Sequence, residues 1–245
     1  MLLISVPSWV IPGTYAENLR FLESKKEIRG VELLFFLYND EIKNQFDSEW
    51  DEIRDYAERF TFTAHLPELL LPEHEALIAR LVTLVRHFIV HPDAENPAGQ
   101  VALFRSWKER YGALFLAENT FKGNGVSSLE VLLPHLDKNF PLCMDTGHLL
   151  LDGQNPSDFY KARQDCIKEI HLHSLDRNQS AVDGRLADHR RLREDEPWLL
   201  ELLPLLKGYQ GIINLEVFSW EEVEAGIEVL RKLGNGEQGI GNGVI

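Results

Sequence analysis

The sequence predicts an α/β protein built as one (β/α)8 barrel, with its active site at the C-terminal mouth of the strands. Three observations carry this. Short β-rich runs alternate with amphipathic helical runs along the chain, eight of each. The strands are near-continuously apolar, as in a parallel sheet covered on both faces. The length, 245 residues, suits a barrel of this kind, which needs ~250. An open doubly wound sheet would need a phosphate-cradling glycine-rich turn after its first strand, and VPSWVIPG offers none.

Strands are expected at 2–7, 30–36, 60–66, 88–92, 114–119, 140–146, 166–173 and 211–218. Helices are expected at 14–26, 48–59, 73–86, 98–111, 126–137, 156–164, 196–207 and 219–232. Ser48, Ser127 and Ser219 are candidate N-caps, and Pro72, Pro97, Pro156 and Pro197 stand near helix entries. Gly30, Gly112, Gly208 and Gly234 punctuate helix ends. No linker divides the chain, so residues 1–233 read as a single barrel and 234–245, rich in Gly and Asn, as a flexible tail.

Composition narrows the function. Lys and Arg total 25 against 39 Asp and Glu, a formal charge of −14. Such a surface repels phosphate backbones and argues against long nucleic acid as a partner. An anionic substrate would need a local cationic site, which a metal centre provides. No apolar run reaches the ~18 residues of a membrane helix. MLLISVPSWV lacks a basic start and a small-residue cleavage site, so it reads as a buried strand rather than a signal peptide. Two cysteines, Cys143 and Cys166, make no disulfide framework and suggest a cytoplasmic protein.

The informative signal is a ladder of metal-ligand residue types at the strand ends. His65, His91, Glu118, Asp145 and His171 close strands three to seven, at separations of 26, 27, 27 and 26 residues. That is the pitch of one βα unit, so each side chain arrives at the same mouth of the barrel. Glu216 closes strand eight, 45 residues after His171, beyond a long loop containing RLADHRRLRED. Buried carboxylates and imidazoles at one mouth are costly unless neutralised, and divalent cations neutralise them. Zinc, manganese or iron suits this mixture better than calcium.

Further residues join more loosely. His148 follows Asp145 by three residues. His171 and His173 alternate onto one face, so either can be the ligand; His171 is favoured, with His173 placed further out towards solvent and substrate. Asp188 and His189 lie on the long loop, followed by Arg190, Arg191 and Arg193, which read as an anion clamp or an exposed basic patch. Asp93 is a candidate for orienting ligands. Glu32, inside an apolar strand, contacts substrate or another barrel side chain. Trp9, Phe35, Phe36 and Phe121 read as core, with lining of the mouth as the alternative. His74, His87 and His135 read as surface or packing residues on helices or their ends.

The series HLP (65–67), HP (91–92), EN (118–119), MDTGH (144–148), HLHS (171–174), DH (188–189) and LEVF (215–218) resembles the xylose-isomerase-like, AP-endonuclease-family-2 TIM-barrel superfamily. The resemblance covers strands three to eight. It implies one of two patterns. Sugar isomerases and epimerases use a single-metal core, here Glu118, Asp145, His171 and Glu216, in which Glu118 and Glu216 would exchange a proton at the substrate carbon next to a carbonyl. Endonuclease IV-like phosphodiesterases add ligands, here His65, His91, His148, Asp188 and His189. Endonuclease IV spaces its loop pair as Asp-x-His, whereas Asp188 and His189 are adjacent, and its DNA-penetrating basic loops have no counterpart in so acidic a chain.

The motifs VELLFF, HLPELLL, AEN, MDTGHLLLDG, HLHS with DHRRL, and LEVF more closely resemble the cobamide-remodelling phosphodiesterases. This implies a hydrolase acting on a small-molecule phosphodiester, the corrinoid nucleotide loop, to give cobinamide phosphate and an α-riboside. It implies two or three divalent ions: one on His65 and His91 with Glu118 bridging, one on Asp145, His171 and Glu216, and a third on His148, Asp188 and His189. Glu118, Glu216 and His189 are then the catalytic residues, and His173, Arg190, Arg191 and Glu32 contact substrate.

Overall fold

A computed structural model describes residues 2–120, 128–180 and 186–234. Eight parallel strands close into a barrel: β1 (Leu3–Pro7), β2 (Gly30–Leu34), β3 (Thr61–His65), β4 (Val85–Val90), β5 (Phe115–Glu118), β6 (Leu142–Asp145), β7 (Ile167–His171) and β10 (Ile212–Asn214). Closure is made where β1 pairs with β10, Leu3 opposite Ile212. Between β7 and β10 stands an antiparallel hairpin of β8 (Ser174–Ser180) and β9 (Leu186–Arg190). The helices are α1 (Tyr15–Leu22), α2 (Asp40–Asp55), α3 (Glu75–Leu81), α4 (Pro97–Tyr111), α5 (Ser128–Leu132), α6 (Thr146–Leu151), α7 (Pro156–Arg163), α8 (Pro197–Leu202) and α9 (Trp220–Gly234).

Strand alternation sorts the side chains. On β3, Phe62 and Ala64 join the large core that also holds helical residues such as Leu19, Leu77 and Trp107. Thr63 and His65 alternate onto the other face and are buried too. The same alternation on β7 separates Ile170 from Glu169 and His171. Ile89, Leu116 and Cys143 form a small apolar cluster of their own. The remaining interior is polar, with Ser5, Glu32, Thr63, His87, Glu169, His171 and Asn214 all buried, whereas barrels of this type are usually filled by branched apolar residues.

Most entry signals act as expected. Pro72 opens a short 3-10 turn, Pro97, Pro156 and Pro197 occupy first turns, and Gly112 ends α4 with φ of 72°. Ser219 accepts the Glu222 N–H at 3.2 Å. Four expectations are corrected. Helix 48–59 begins earlier, at Asp40, because Asn39 accepts from the Ile42 N–H at 3.0 Å; Ser48 lies inside α2. The helix expected over 73–86 stops at Leu81, and Val85 already belongs to β4. His87 therefore sits on a strand, buried against Glu169. The loop expected after strand seven is the β8–β9 hairpin. Ser127, Phe121 and the tail beyond Gly234 lie outside the described residues. Among the described residues, no helix is long and apolar enough to cross a membrane.

Candidate metal centre

His65, Glu118, Asp145 and His171 are the last residues of β3, β5, β6 and β7, which brings them to one end of the barrel. His91 follows β4 by one residue and Glu216 follows β10 by two. The two oxygens of Glu118 face different neighbours. Oε2 lies 3.0 Å from His65 Nε2 and 3.5 Å from His91 Nε2. Oε1 lies 3.2 Å from His148 Nδ1. Phe36 packs against the His65 ring at 4.2 Å and so borders the mouth, whereas Phe35 is core.

Asp145 caps α6: its Oδ1 accepts the His148 N–H at 2.6 Å. That bond swings His148 over the cluster and leaves Asp145 Oδ2 3.0 Å from His173 Nε2 and 3.5 Å from His148 Nδ1. Glu216 Oε2 lies 3.1 Å from His171 Nδ1, 3.7 Å from His173 Nε2 and 3.6 Å from His189 Nδ1. Beneath them, His171 Nε2 meets Glu32 Oε2 at 3.1 Å, and Asn214 Nδ2 donates to Glu32 Oε1 at 2.9 Å. Glu32 thus touches a barrel histidine, one of its two expected roles.

The hairpin supplies the rest. Adjacent strand residues normally point to opposite faces, yet Asp188 and His189 both reach the cluster. His189 has φ of 50°, a left-handed backbone rare outside glycine, and this twist accommodates the adjacent pair. The donor atoms of His148, Asp188 and His189 all lie within 4.8 Å of one another. The His189 N–H donates to His173 Nδ1 at 3.0 Å, and the two rings stack at 4.3 Å. His173 is corrected in consequence: it is 0% exposed, not turned towards solvent, because the hairpin folds over it. Both imidazoles of the His171-Leu172-His173 pair reach Asp145 and Glu216.

Several positioning residues carry no signal in a ligand ladder. Asn119 clasps the Asp145 backbone, donating to its O and accepting its N–H, both at 2.9 Å. Gln100 donates to the His91 carbonyl at 2.7 Å. Thr146 donates to the His173 carbonyl at 2.8 Å. Asp93 instead accepts from the Glu95 and Asn96 N–H groups and shapes a turn. Trp9 stands beside Tyr15 at 6.3 Å.

The acids are almost completely buried among imidazoles. Burial alone would push Glu118 up, but His91, His171, His148 and His65 hold it well below the usual carboxylate range. Glu216 is lowered likewise, with His171 and His189 overcoming its burial. Burial wins at Glu32, which rises to about 7 despite His171. His148 would be lowered by burial, yet Asp145 and Glu118 lift it to about 10. His171 and His173 are raised by the same kind of surroundings, while burial and His173 lower His189. The donor set fits divalent cations. Glu216 Oε2 and His171 Nδ1 face each other at 3.1 Å, yet each is buried without a hydrogen bond of proper geometry. Donor triples within 4.8 Å include His65–His91–Glu118, His65–His171–Glu216 and His173–His189–Glu216.

From Asp188 and His189 a cleft of about 610 Å3 opens, lined also by Arg190, Arg191, Phe218, Ser219, Glu221 and Glu222. Arg190 and Arg191 therefore stand beside the cluster, where an anion clamp was expected.

Close packing fixes one further residue. A methyl group on Gly147 would overlap the His173 imidazole. Gly147→Ala is expected to displace that ring from Asp145 and weaken metal binding by about 10–100-fold, the usual cost of disturbing a ligand's support. Calorimetric metal titration checks this; unchanged affinity would separate His173 from the centre.

No family profile matches the sequence, and no curated protein is significantly similar to it. Solved structures share its fold. A D-tagatose 3-epimerase-like protein is 19% identical, with a TM-score of 0.72 over 95% of this chain and 97% of its own. The probable 3-DHS dehydratase AsbF from Bacillus anthracis is 14% identical, with a TM-score of 0.64 over 96% and 100%. Endonuclease IV from Thermus thermophilus is 15% identical, with a TM-score of 0.59 over 96% and 100%. The chain thus shares its (β/α)8-barrel fold with these three structures.

Proposed function

We propose that this barrel is a metal-dependent hydrolase of small-molecule phosphodiesters, holding two or three divalent ions. The observation that carries the reading is the size of the donor set. Glu118 directs its two oxygens to separate groups of imidazoles, and His148, Asp188 and His189 form a further grouping. A single ion needs only about four ligands. His65 and His91 would share one ion with Glu118. Asp145, Glu216 and the His171–His173 pair would hold a second, and His148, Asp188 and His189 a third. When bound, such ions neutralise phosphoryl charge and acidify water.

The chain's own residues do the rest. Arg190 and Arg191 orient the phosphoryl group beside the cluster. Where only two ions are held, the His189 imidazole, 3.6 Å from Glu216, is left to accept and return the proton that hydrolysis moves. The hairpin shields His173. A formal charge of −14 disfavours duplex DNA, so the endonuclease reading ranks below a small substrate. The candidate substrate is the nucleotide loop of a cobamide, cleaved to cobinamide phosphate and an α-riboside in the cytoplasm.

A second reading has its own support in the D-tagatose 3-epimerase-like neighbour. A single-metal isomerase or epimerase would use Glu118 and Glu216 for proton exchange beside a carbonyl. It gives His65 and His91 no ligand role. Metal-reconstituted protein should be analysed for bound ions and incubated with cobalamin, ketohexoses and an abasic duplex. Two or three ions with cleavage of the corrinoid loop is the expected result. One ion with ketohexose turnover would overturn the hydrolase reading in favour of the isomerase; duplex cleavage would favour the endonuclease.

A further inference from the structure

The cleft beside the cluster is lined by charges of both signs. Arg190, the last residue of β9, and Arg191, just after it, line the cleft, and Glu221 and Glu222 line it from the first turn of α9. Phe218 lines the same cleft and is 41% exposed. Its ring lies 5.0 Å from His189, which itself stacks on His173. An aromatic column therefore runs from the buried acids out to the cleft. Acids in a first helical turn also serve the helix dipole, so they alone would mean little. Here they share one cavity with two arginines and an exposed ring.

We infer that this cleft is a specificity subsite for a flat, uncharged or cationic ring system carried on a single phosphate, with the ring on Phe218 and its hydroxyl or amino groups towards Glu221 and Glu222. The inference rests on the phosphodiester reading and narrows it. The phosphoryl group lies on the arginine side, next to Asp188 and His189. The α9 wall of the cleft carries two carboxylates. It repels a second phosphate, while carboxylates accept hydrogen bonds from hydroxyl or ammonium groups. Polyphosphates and nucleic-acid strands, whose charges recur, are excluded by the same wall. The helix start that presents it is fixed, since Ser219 caps the Glu222 N–H at 3.2 Å.

Three esters that each release 4-nitrophenolate test this with metal-loaded protein: methyl 4-nitrophenyl phosphate, thymidine 5′-(4-nitrophenyl phosphate), and the latter with an added 3′-phosphate. The expected KM of the thymidine ester is about tenfold below that of the methyl ester, the scale of one base–aromatic stack. The 3′-phosphate should cancel that gain. Phe218→Ala should collapse the thymidine-to-methyl ratio towards one, with bound-metal content retained. The E221Q/E222Q double variant should restore acceptance of the 3′-phosphate by about tenfold, with the thymidine ester itself less affected. Equal KM for all three esters, or ratios unmoved by these variants, would overturn the inference while leaving the hydrolase reading intact. If no ester is cleaved, the hydrolase reading falls, and calorimetric titration of thymidine 5′-monophosphate decides the subsite. Binding weakened by Phe218→Ala supports it; absent binding, or binding indifferent to that change, overturns it.

Discussion

Glu118→Gln is expected to lower turnover by about 10^3-fold or more while the barrel stays folded. The carboxylate is 1% exposed and divides its two oxygens between the His65–His91 pair and His148. An amide has nearly the same shape. It carries no charge, however, and must turn an NH2 group towards one set of imidazoles. Either orientation removes an anionic donor from one side, so no rotamer restores the span. The amide keeps the shape of the side chain but leaves its imidazole partners uncompensated, a cost of about 3–5 kcal/mol, so the fold is compared well below the melting temperature. Circular dichroism should match the parent protein, while bound metal falls by at least one ion per chain. A fully active Glu118→Gln protein would end the bridging assignment. Asp145→Asn is the useful companion. Its Oδ1 can still cap α6 through the His148 N–H, so any loss there reports on Oδ2 and its contact with His173.

The ladder was legible because it depends on topology alone. One βα unit in this barrel takes 26 or 27 residues, so His65, His91, Glu118, Asp145 and His171 had to arrive at one rim once the strands closed. Quantities fixed by tertiary packing were not legible. Strand periodicity puts His171 and His173 on one face but says nothing of depth, and depth here is set by a hairpin that covers His173. That hairpin could not be seen either, since most of its paired residues are polar and the left-handed backbone of His189 leaves no mark in a sequence without glycine there. At α2, Asn39 and Ser48 are equally good caps by type; Phe46, buried with Ile53, places the helix start at Asn39. Asn119, Gln100 and Thr146 are ordinary polar residues beside conspicuous ones. Their side chains hold the ligands' backbone through contacts that only tertiary packing sets. Gly147 is of the same kind, since its role is the absence of a methyl group beside His173.

Removal of metal is expected to destabilise the protein by an amount that grows as pH rises. Without ions, protonated imidazoles offset the buried acids. His148, lifted from its ordinary 6.5 to about 10 by Asp145 and Glu118 against its burial, contributes stability that is complete below pH 6.5 and is lost as pH climbs through about 10. His171 and His173 shift in the same direction. Glu118 and Glu216 are held down, so their contribution persists above pH ~4.5 and is lost only in strong acid. Between pH 6.5 and about 10, then, the unfolded chain has released the proton that the metal-free barrel must still hold on His148, and the barrel loses stability on the order of a few kcal/mol. Divalent ions take over that balance, and because ligation needs deprotonated imidazoles their affinity increases over the same range. Thermal melts with and without chelator should differ little at pH 6 and by about 10 °C at pH 9, for a chain of this size. A gap that stays constant or narrows with pH would mean that the imidazoles do not give up protons to bound cations, and the cluster would then be a buried ion-pair network instead of a metal centre.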